Sequence, residues 1–143
     1  MAAPAGFIQS TLKNTRELAM ANKGSSVVTT SGNLMVTDLS SGLVVDATSG
    51  ATTATVAGVC NQAISAADAL TQVLLILPFE NDTWIVDSTN NSNEAHNGQA
   101  MIMGANAYTV NNTGTTSAVG VVVQVGTFGA TTDKKILVKF IKP

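Results

Sequence analysis

The sequence predicts an all-β fold, a small antiparallel β-barrel or sandwich with an N-terminal arm. From residue 26 onward, short runs rich in β-branched residues alternate with clusters of Gly, Asn and Ser, a pattern typical of strands joined by turns. The composition is that of a folded chain, because 45% of the 143 residues are hydrophobic and the formal net charge is only −2. Many strands at short, fairly even spacing favour a barrel or a sandwich.

The first 25 residues differ in pattern from the rest of the chain, so we divide it into an arm over residues 1–25 and a β-barrel-like domain over residues 26–143. Ile8 and Leu12 lie at helical spacing, which makes a short helix over residues 10–21 one interpretation. The segment also holds a proline and a glycine, and an extended arm that becomes ordered against a partner is equally compatible with it.

Ten strands are predicted in the body, each a β-branched or apolar run bounded by turn residues. They are residues 26–30, 34–37, 43–46, 53–60, 73–77, 83–86, 100–103, 108–110, 119–125 and 135–141. In the last of these, Ile136, Val138 and Phe140 face one way, whereas Lys135 and Lys139 face the other. A single helical turn is possible in the body, over residues 63–70.

The charged residues are distributed unevenly along the chain. Every Lys and Arg lies in residues 1–23 or 134–143. The charged residues in the stretch between them are all acidic. Either this is chance in a charge-poor sequence, or the ends contact something acidic. Nucleic acid is a poor partner for a chain with a pI near 5.1. The longest apolar run, residues 73–77, is too short to predict a membrane span, and the N-terminus lacks the pattern of a secretion signal.

We find no pattern of catalytic or metal-binding residues, and we therefore predict a chain that is not an enzyme and binds no metal or cofactor. Cys60 and His96 are the sole residues of their types, which makes a zinc site or a catalytic triad hard to assemble. The acidic stretch from Asp87 to Glu94 resembles a calcium loop, but it lacks the glycine and the final glutamate that such a loop needs. Cys60 is expected to be a buried, inert thiol, and His96 an exposed loop residue.

Trp84 lies between two β-forming residues and is expected to anchor the core or an interface. A platform on which a ligand stacks is the alternative. The middle strands carry almost no lysine, the residue that most often protects exposed strand edges. The edges are therefore expected to be covered by closure of the sheet or by neighbouring copies, which favours a homo-oligomer.

The order of the segments resembles that of the small capsid decoration (cement) proteins of tailed bacteriophages. The parts that carry the resemblance are the glycine, β-branched pair and acid of residues 42–46, the Ala/Thr-rich stretch ending at 56–59, the strand 73–77 leading into 81–84, the segment 98–104 introducing 107–111, and the final hairpin over 119–140. The resemblance covers roughly residues 24–142 and supplies no site motif, so no individual residue is assigned a function by it.

The resemblance implies a structural virion protein that binds the outer surface of an assembled phage head and stabilises the capsid lattice. It further implies the major capsid protein as partner, a homotrimer, and a location on the virion after synthesis in the host cytoplasm. Arms that lie on the capsid are a recurring feature of such proteins, and this chain's arm joins apolar to basic residues. The predicted partner-binding residues are Phe7, Ile8, Leu12, Lys13 and Arg16.

The main alternative is a carbohydrate- or receptor-binding β module of the head-fibre or adhesin type. Trp84, Tyr108 and the Asn-rich loops would then line a shallow sugar site. Aromatic placement discriminates between the two interpretations, because a sugar site needs exposed rings.

Overall fold

The structure is a computed structural model that describes residues 6–9, 17–24, 27–65, 71–78, 82–89, 94–111, 118–125 and 135–141. The described chain is all-β, as the sequence predicts, and its strands form two sheets that pack against each other. In chain order the strands are β1 (Ile8–Gln9), β2 (Leu18–Asn22), β3 (Leu34–Thr37), β4 (Val44–Asp46), β5 (Val56–Cys60), β6 (Gln72–Ile76), β7 (Trp84–Ser88), β8 (Ala100–Met103), β9 (Thr109–Asn111), β10 (Ala118–Val125) and β11 (Lys135–Lys139). Two short 3₁₀ turns cover Thr53–Thr55 and Glu94–His96.

The first sheet, which we call sheet 1, is partly ring-like. Its strand order is β1-β7-β11-β10-β8-β9, and β9 also pairs with β7. The β7–β9 pairing is parallel, while the other pairings in the sheet are antiparallel. β1 occupies the edge of β7 at Trp84 and Ile85, and β9 occupies it at Asp87 and Ser88. Ring closure of this kind leaves few strand edges exposed.

The second sheet, sheet 2, is antiparallel and has the strand order β2-β6-β5-β3-β4. Its two outer strands approach each other at one end, where Lys23 forms a parallel bridge with Val44. The Gly24 amide donates a 3.1 Å hydrogen bond to the Val44 carbonyl there. Within the described residues, sheet 2 therefore curls towards closure without completing it.

Two groups of buried apolar side chains stabilise this arrangement. The larger one fills the space between the sheets and includes Leu34, Val59, Trp84, Met101 and Ile136, each at most 1% exposed. The smaller one lies on the other side of sheet 2 and consists of Met35, Val44, Cys60, Ile64, Val73 and Leu75. Successive residues of β3 and β5 thus enter different cores, as the two-residue period of a strand requires.

Most strands predicted in the body are present within one or two residues of their expected bounds, and β3 and β8 match them at both ends. Two predictions in the body were wrong. Residues 27–30 form no strand, and the segment contributes a single bridge from Thr29 to Ile64. Residues 53–55 form a 3₁₀ turn, because the Thr55 hydroxyl accepts from the Thr52 amide at 3.2 Å and donates to the Thr52 carbonyl at 2.9 Å. Such local side-chain bonds compete with strand pairing.

The helix considered over residues 10–21 is not formed at its C-terminal end, where Leu18–Asn22 is strand β2. Residues 10–16 lie outside the described part. β2 pairs with β6 along its whole length, from Leu18 opposite Ile76 to Asn22 opposite Gln72. Tertiary pairing here overrides the helical preference of Leu, Ala and Met. The extended alternative fits this strand, although it is ordered against its own domain. Of the predicted turn over 63–70, Ile64 lies in a β-bridge, and residues 66–70 are outside the described residues.

Candidate functional site

Phe7, predicted to contact a partner, lies in the core of this domain and is 3% exposed. Its ring centroid is 5.1 Å from that of Phe140, which in turn lies 5.8 Å from Trp84 in an edge-on contact. The Phe7 amide donates a 2.8 Å hydrogen bond to the Gly32 carbonyl. As the domain is folded here, the Phe7 ring is occupied internally and is not presented to a partner.

Of the other four predicted partner-binding residues, one lies within the described part of the chain and three lie outside it. Ile8 is on the surface, with 49% of its area exposed. Leu12, Lys13 and Arg16 lie outside the described residues, so the structure does not bring them together with Ile8 or separate them from it.

Basic residues near the chain ends make contacts within the domain. The Lys135 ammonium lies 2.9 Å from the Asp87 carboxylate across β11 and β7. Lys23 is buried, and its Nζ donates to the Gly24 carbonyl at 3.2 Å. Part of the uneven charge distribution is thus neutralised within the molecule, because Lys135, near the C-terminal end, pairs with Asp87 of the acidic middle stretch.

The outer edge of β2 has backbone groups that no described strand pairs. The Leu77 amide donates to the Glu17 carbonyl at 2.9 Å, and the Lys23 amide donates to the Thr71 carbonyl at 3.0 Å. Because bonding alternates along an antiparallel strand, the odd-numbered residues of β2 face β6. The N–H and C=O groups of Leu18, Met20 and Asn22 therefore point away from sheet 2.

The same edge carries exposed apolar side chains. Leu18 is 48% exposed and Met20 is 54% exposed. They lie two residues apart and so occupy one face of the strand. Ile76, the cross-strand partner of Leu18, is buried in the main core. Backbone groups that no described strand pairs and an exposed apolar surface thus coincide at β2, and we call this region the β2 edge.

A pocket of about 180 Å³ lies between β1 and sheet 2. It is lined by Phe7, Ile8, Gln9, Ser31, Gly32, Val59, Cys60, Asn61, Ile76 and Trp84. Ile8, Ser31 and Asn61 are exposed, whereas Cys60 and Trp84 are buried. The pocket therefore reaches from a partly polar surface to the core.

Two buried polar atoms of pocket-lining residues make no hydrogen bond within the described chain, namely Trp84 Nε1 and Gln9 Oε1. The other end of the Gln9 amide is held, because Nε2 donates to Asp82 Oδ2 at 3.2 Å. Trp84 is fully buried, as expected of a core anchor. Its ring is consequently unavailable as an exposed stacking platform.

A polar cluster centred on Asp46 lies beside the smaller core. The Thr29 hydroxyl donates to Asp46 Oδ1 at 2.7 Å, and the Asn33 side-chain amide donates to Asp46 Oδ2 at 3.2 Å. Burial raises the pKa of the Asp46 carboxyl, and the two hydrogen bonds oppose part of that rise. Thr29 and Asn33 are themselves buried, so the cluster joins the segment before β3 to the end of β4.

Cys60 is buried, as predicted. Its Sγ lies 2.8 Å from the Gln62 carbonyl, to which the thiol donates. Burial raises the pKa of the Cys60 thiol above its usual value. A raised pKa reduces the thiolate fraction, which is the nucleophilic form.

The acidic stretch near residues 82–96 does not converge on a site in the part of the chain that the structure describes. Asp82 is buried and accepts from Gln9, whereas Asp87 pairs with Lys135. His96 is half-buried in a 3₁₀ turn and was expected to be exposed. Among the described residues, no three His, Cys, Asp or Glu side chains are grouped so that they could hold a metal ion. Nor does any helix there have the length and apolarity to cross a membrane.

Three features of the structure were not predicted from the sequence. They are strand β2, the contacts of Gln9, and the hydrogen bond between Thr29 and Asp46. The alternation of Leu18 and Met20 with alanine is a signal for β2, but the same residues also suit a helix or an arm. Gln9 and the Thr29–Asp46 contact carry no local signal, because their partners are remote in the sequence.

No protein-family model, curated protein or solved structure matches this chain. Its function is therefore inferred from its own geometry and from the resemblance in segment order.

Proposed function

We propose that this chain is a structural virion protein that binds the outer surface of an assembled phage head and stabilises the capsid lattice. The observation that carries the proposal is the β2 edge, where backbone groups of Leu18, Met20 and Asn22 that no described strand pairs coincide with exposed Leu18 and Met20 side chains. Monomeric β proteins usually protect such edges with lysine, proline or a covering element. Among the described residues none of these covers β2, and such an edge is suited to binding.

The mode of binding that fits this edge is strand addition. An extended segment of the major capsid protein would pair with the N–H and C=O groups of β2, and its apolar side chains would cover Leu18 and Met20. Backbone hydrogen bonds supply affinity in this mode, and the side-chain contacts supply selectivity. Ile8, exposed on β1, is a candidate for additional apolar contact.

We further propose that the protein acts as a homotrimer. A five-residue strand offers a small contact area, and one such contact would bind weakly. Three copies joined in one assembly would present three β2 edges to a repeating lattice, so that effective concentration multiplies the affinity. Binding that is specific to the assembled lattice stabilises it by mass action.

The carbohydrate-binding alternative is disfavoured by the burial of Trp84, which is 0% exposed. Tyr108 is half-buried and does not by itself make an aromatic platform. We assign no catalytic step and no cofactor to the chain, and we propose neither nucleic acid nor a membrane as its partner.

The experiment is co-sedimentation with assembled phage heads. Met20→Lys places a charge on the β2 edge, and we expect it to weaken binding by tenfold or more, roughly the effect of losing 1.4 kcal/mol. Leu39→Lys is the matched control, because Leu39 is an exposed leucine in the turn after β3. Undiminished binding by Met20→Lys would refute the β2 edge as the docking site, and no binding by the wild type would refute the capsid proposal.

A further inference from the structure

Trp84 and Gln9 present a buried donor and a buried acceptor that lack partners within the described chain. Trp84 Nε1 is a donor only, and Gln9 Oε1 is an acceptor only. Buried polar atoms in folded proteins nearly always have a partner, so each exception calls for an explanation. Both residues line the same pocket, which is where a partner for these atoms can enter.

The two side chains are held next to each other by the β1–β7 pairing. Gln9 is the direct cross-strand partner of Trp84, so both side chains project from the same face of the sheet. Cβ atoms in such a pair are about 4.5–5.5 Å apart. The hydrogen bond from Gln9 Nε2 to Asp82 fixes the amide and leaves Oε1 as its unpaired end.

The ligand that complements this pair must offer an acceptor to Trp84 Nε1 and a donor to Gln9 Oε1. A carboxylate offers no donor, and an ammonium offers no acceptor. A trans peptide bond offers both, but its C=O and N–H point in opposite directions. A primary carboxamide carries its C=O and one N–H along the same edge, so that one such group can serve a donor and an acceptor on two neighbouring side chains.

We propose that the Gln9–Trp84 pocket binds a primary carboxamide, specifically the side chain of an Asn or Gln residue of a partner protein. The pocket volume of about 180 Å³ accommodates a group of this size, and apolar walls from Val59 and Ile76 suit its aliphatic stem. The exposed residues Ile8, Ser31 and Asn61 at the pocket leave it accessible from the surface. This site is formed within one chain and does not depend on the capsid proposal.

The test uses ¹⁵N-labelled full-length protein and the indole N–H signal of Trp84, which is the sole tryptophan of the sequence. The probe is propionamide, and the control is its isomer N-methylacetamide, a trans secondary amide with the same atoms. We expect propionamide to shift the indole signal saturably, with an apparent Kd at least about fivefold lower than that of the isomer, as the loss of one hydrogen bond implies. Equal shifts, or no saturable shift, would overturn the proposal.

Variants test the role of Gln9 directly. Gln9→Met removes the acceptor while keeping a similar length, and we expect it to abolish the preference for propionamide. Gln72→Met, at an exposed position on β6, is the matched control and should keep that preference. If Gln9→Met keeps it while folded, the assignment is wrong. If that variant does not fold, the comparison of isomers on the wild type still decides the question.

A capped glutamine, N-acetylglutamine N′-methylamide, separates a side chain from a small free amide. We expect it to bind at least as tightly as propionamide, because its main chain can remain at the pocket mouth. If propionamide binds and the capped glutamine does not, the assignment to a protein side chain is overturned.

Discussion

Phe7 and Ile8 are neighbours in the chain that have opposite environments. Phe7 is buried against Phe140 between the two sheets, while Ile8 faces solvent. This pair therefore separates what the N-terminal segment contributes to stability from what it contributes to binding.

We expect Phe7→Ala to lower the free energy of unfolding by roughly 3–5 kcal/mol, because it removes a buried aromatic ring and leaves a cavity. Ile8→Ala, the control, should cost less than about 1 kcal/mol, as is usual at exposed positions. Urea unfolding followed by circular dichroism measures both values. Similar small losses for the two variants would mean that the segment is not integral to the domain.

Asp46 makes a pH-dependent contribution to stability whose sign follows from its environment. Burial raises the pKa of this carboxyl above its ordinary value of 3.8. The folded state therefore binds the proton more tightly than the unfolded state does. Ionised Asp46 is unfavourable to folding above the folded pKa, and that penalty is relieved as the pH falls through the folded pKa towards the unfolded one.

Asp46→Asn cannot titrate and serves as the comparison. We expect the difference in unfolding free energy between wild type and variant to move in favour of the wild type between about pH 7 and about pH 4. Other carboxylates contribute to both proteins and cancel in the difference. Urea titrations at the two pH values give the result, and a pH-independent difference would contradict the raised pKa.

At the scale of elements, the close approach of strands in sheet 1 depends on Gly120 of β10. A Cβ at this position would collide with the Lys139 carbonyl oxygen of β11 and come within 3.1 Å of Met101 Cε. Glycine inside a strand often marks such an approach of one backbone to another.

We expect Gly120→Ala to destabilise the protein by at least roughly 1–3 kcal/mol, because β10 and β11 must separate to admit the methyl group. Gly50→Ala is the matched control, since its Cβ would meet nothing within 4 Å. That substitution should be neutral or slightly stabilising. Thermal unfolding of the two variants checks the contrast, and equal melting temperatures would show that β10 can shift without cost.

Local sequence patterns predict the strands whose residues alternate clearly, and β3 and β8 match their expected bounds. β2 is not predicted because Leu18, Ala19 and Met20 favour helix in isolation, and only pairing with β6 makes them a strand. The pocket escapes prediction for a related reason. Gln9 and Trp84 become neighbours through strand pairing, which local periodicity does not specify.

At the scale of the whole molecule, strand edges that no described strand pairs are the places where another chain can add. Sheet 1 is partly ring-like, and sheet 2 leaves the β2 edge without a described partner. The charged residues between Lys23 and Lys134 are all acidic, so repulsion between like charges opposes random association of copies.

We expect light scattering at micromolar concentration to give three times the 14.6 kDa mass of one chain. The physical reason is multivalency, because one five-residue β2 edge offers too small a contact to hold a single chain firmly on a lattice. A mass of 14.6 kDa, unchanged over a tenfold range of concentration and in the presence of assembled heads, would contradict the trimer.

Hydrogen–deuterium exchange, measured with and without assembled heads, tests most directly whether β2 is the docking edge. The outward amides of Leu18, Met20 and Asn22 should exchange quickly in the free protein, whereas the inward amides of Ala19 and Ala21 are already bonded to β6. If a capsid segment adds to this edge, binding to heads should slow the three outward amides by about tenfold or more and leave the inward pair almost unchanged. Binding that protects another surface and leaves the outward amides at their free rates would contradict docking at β2.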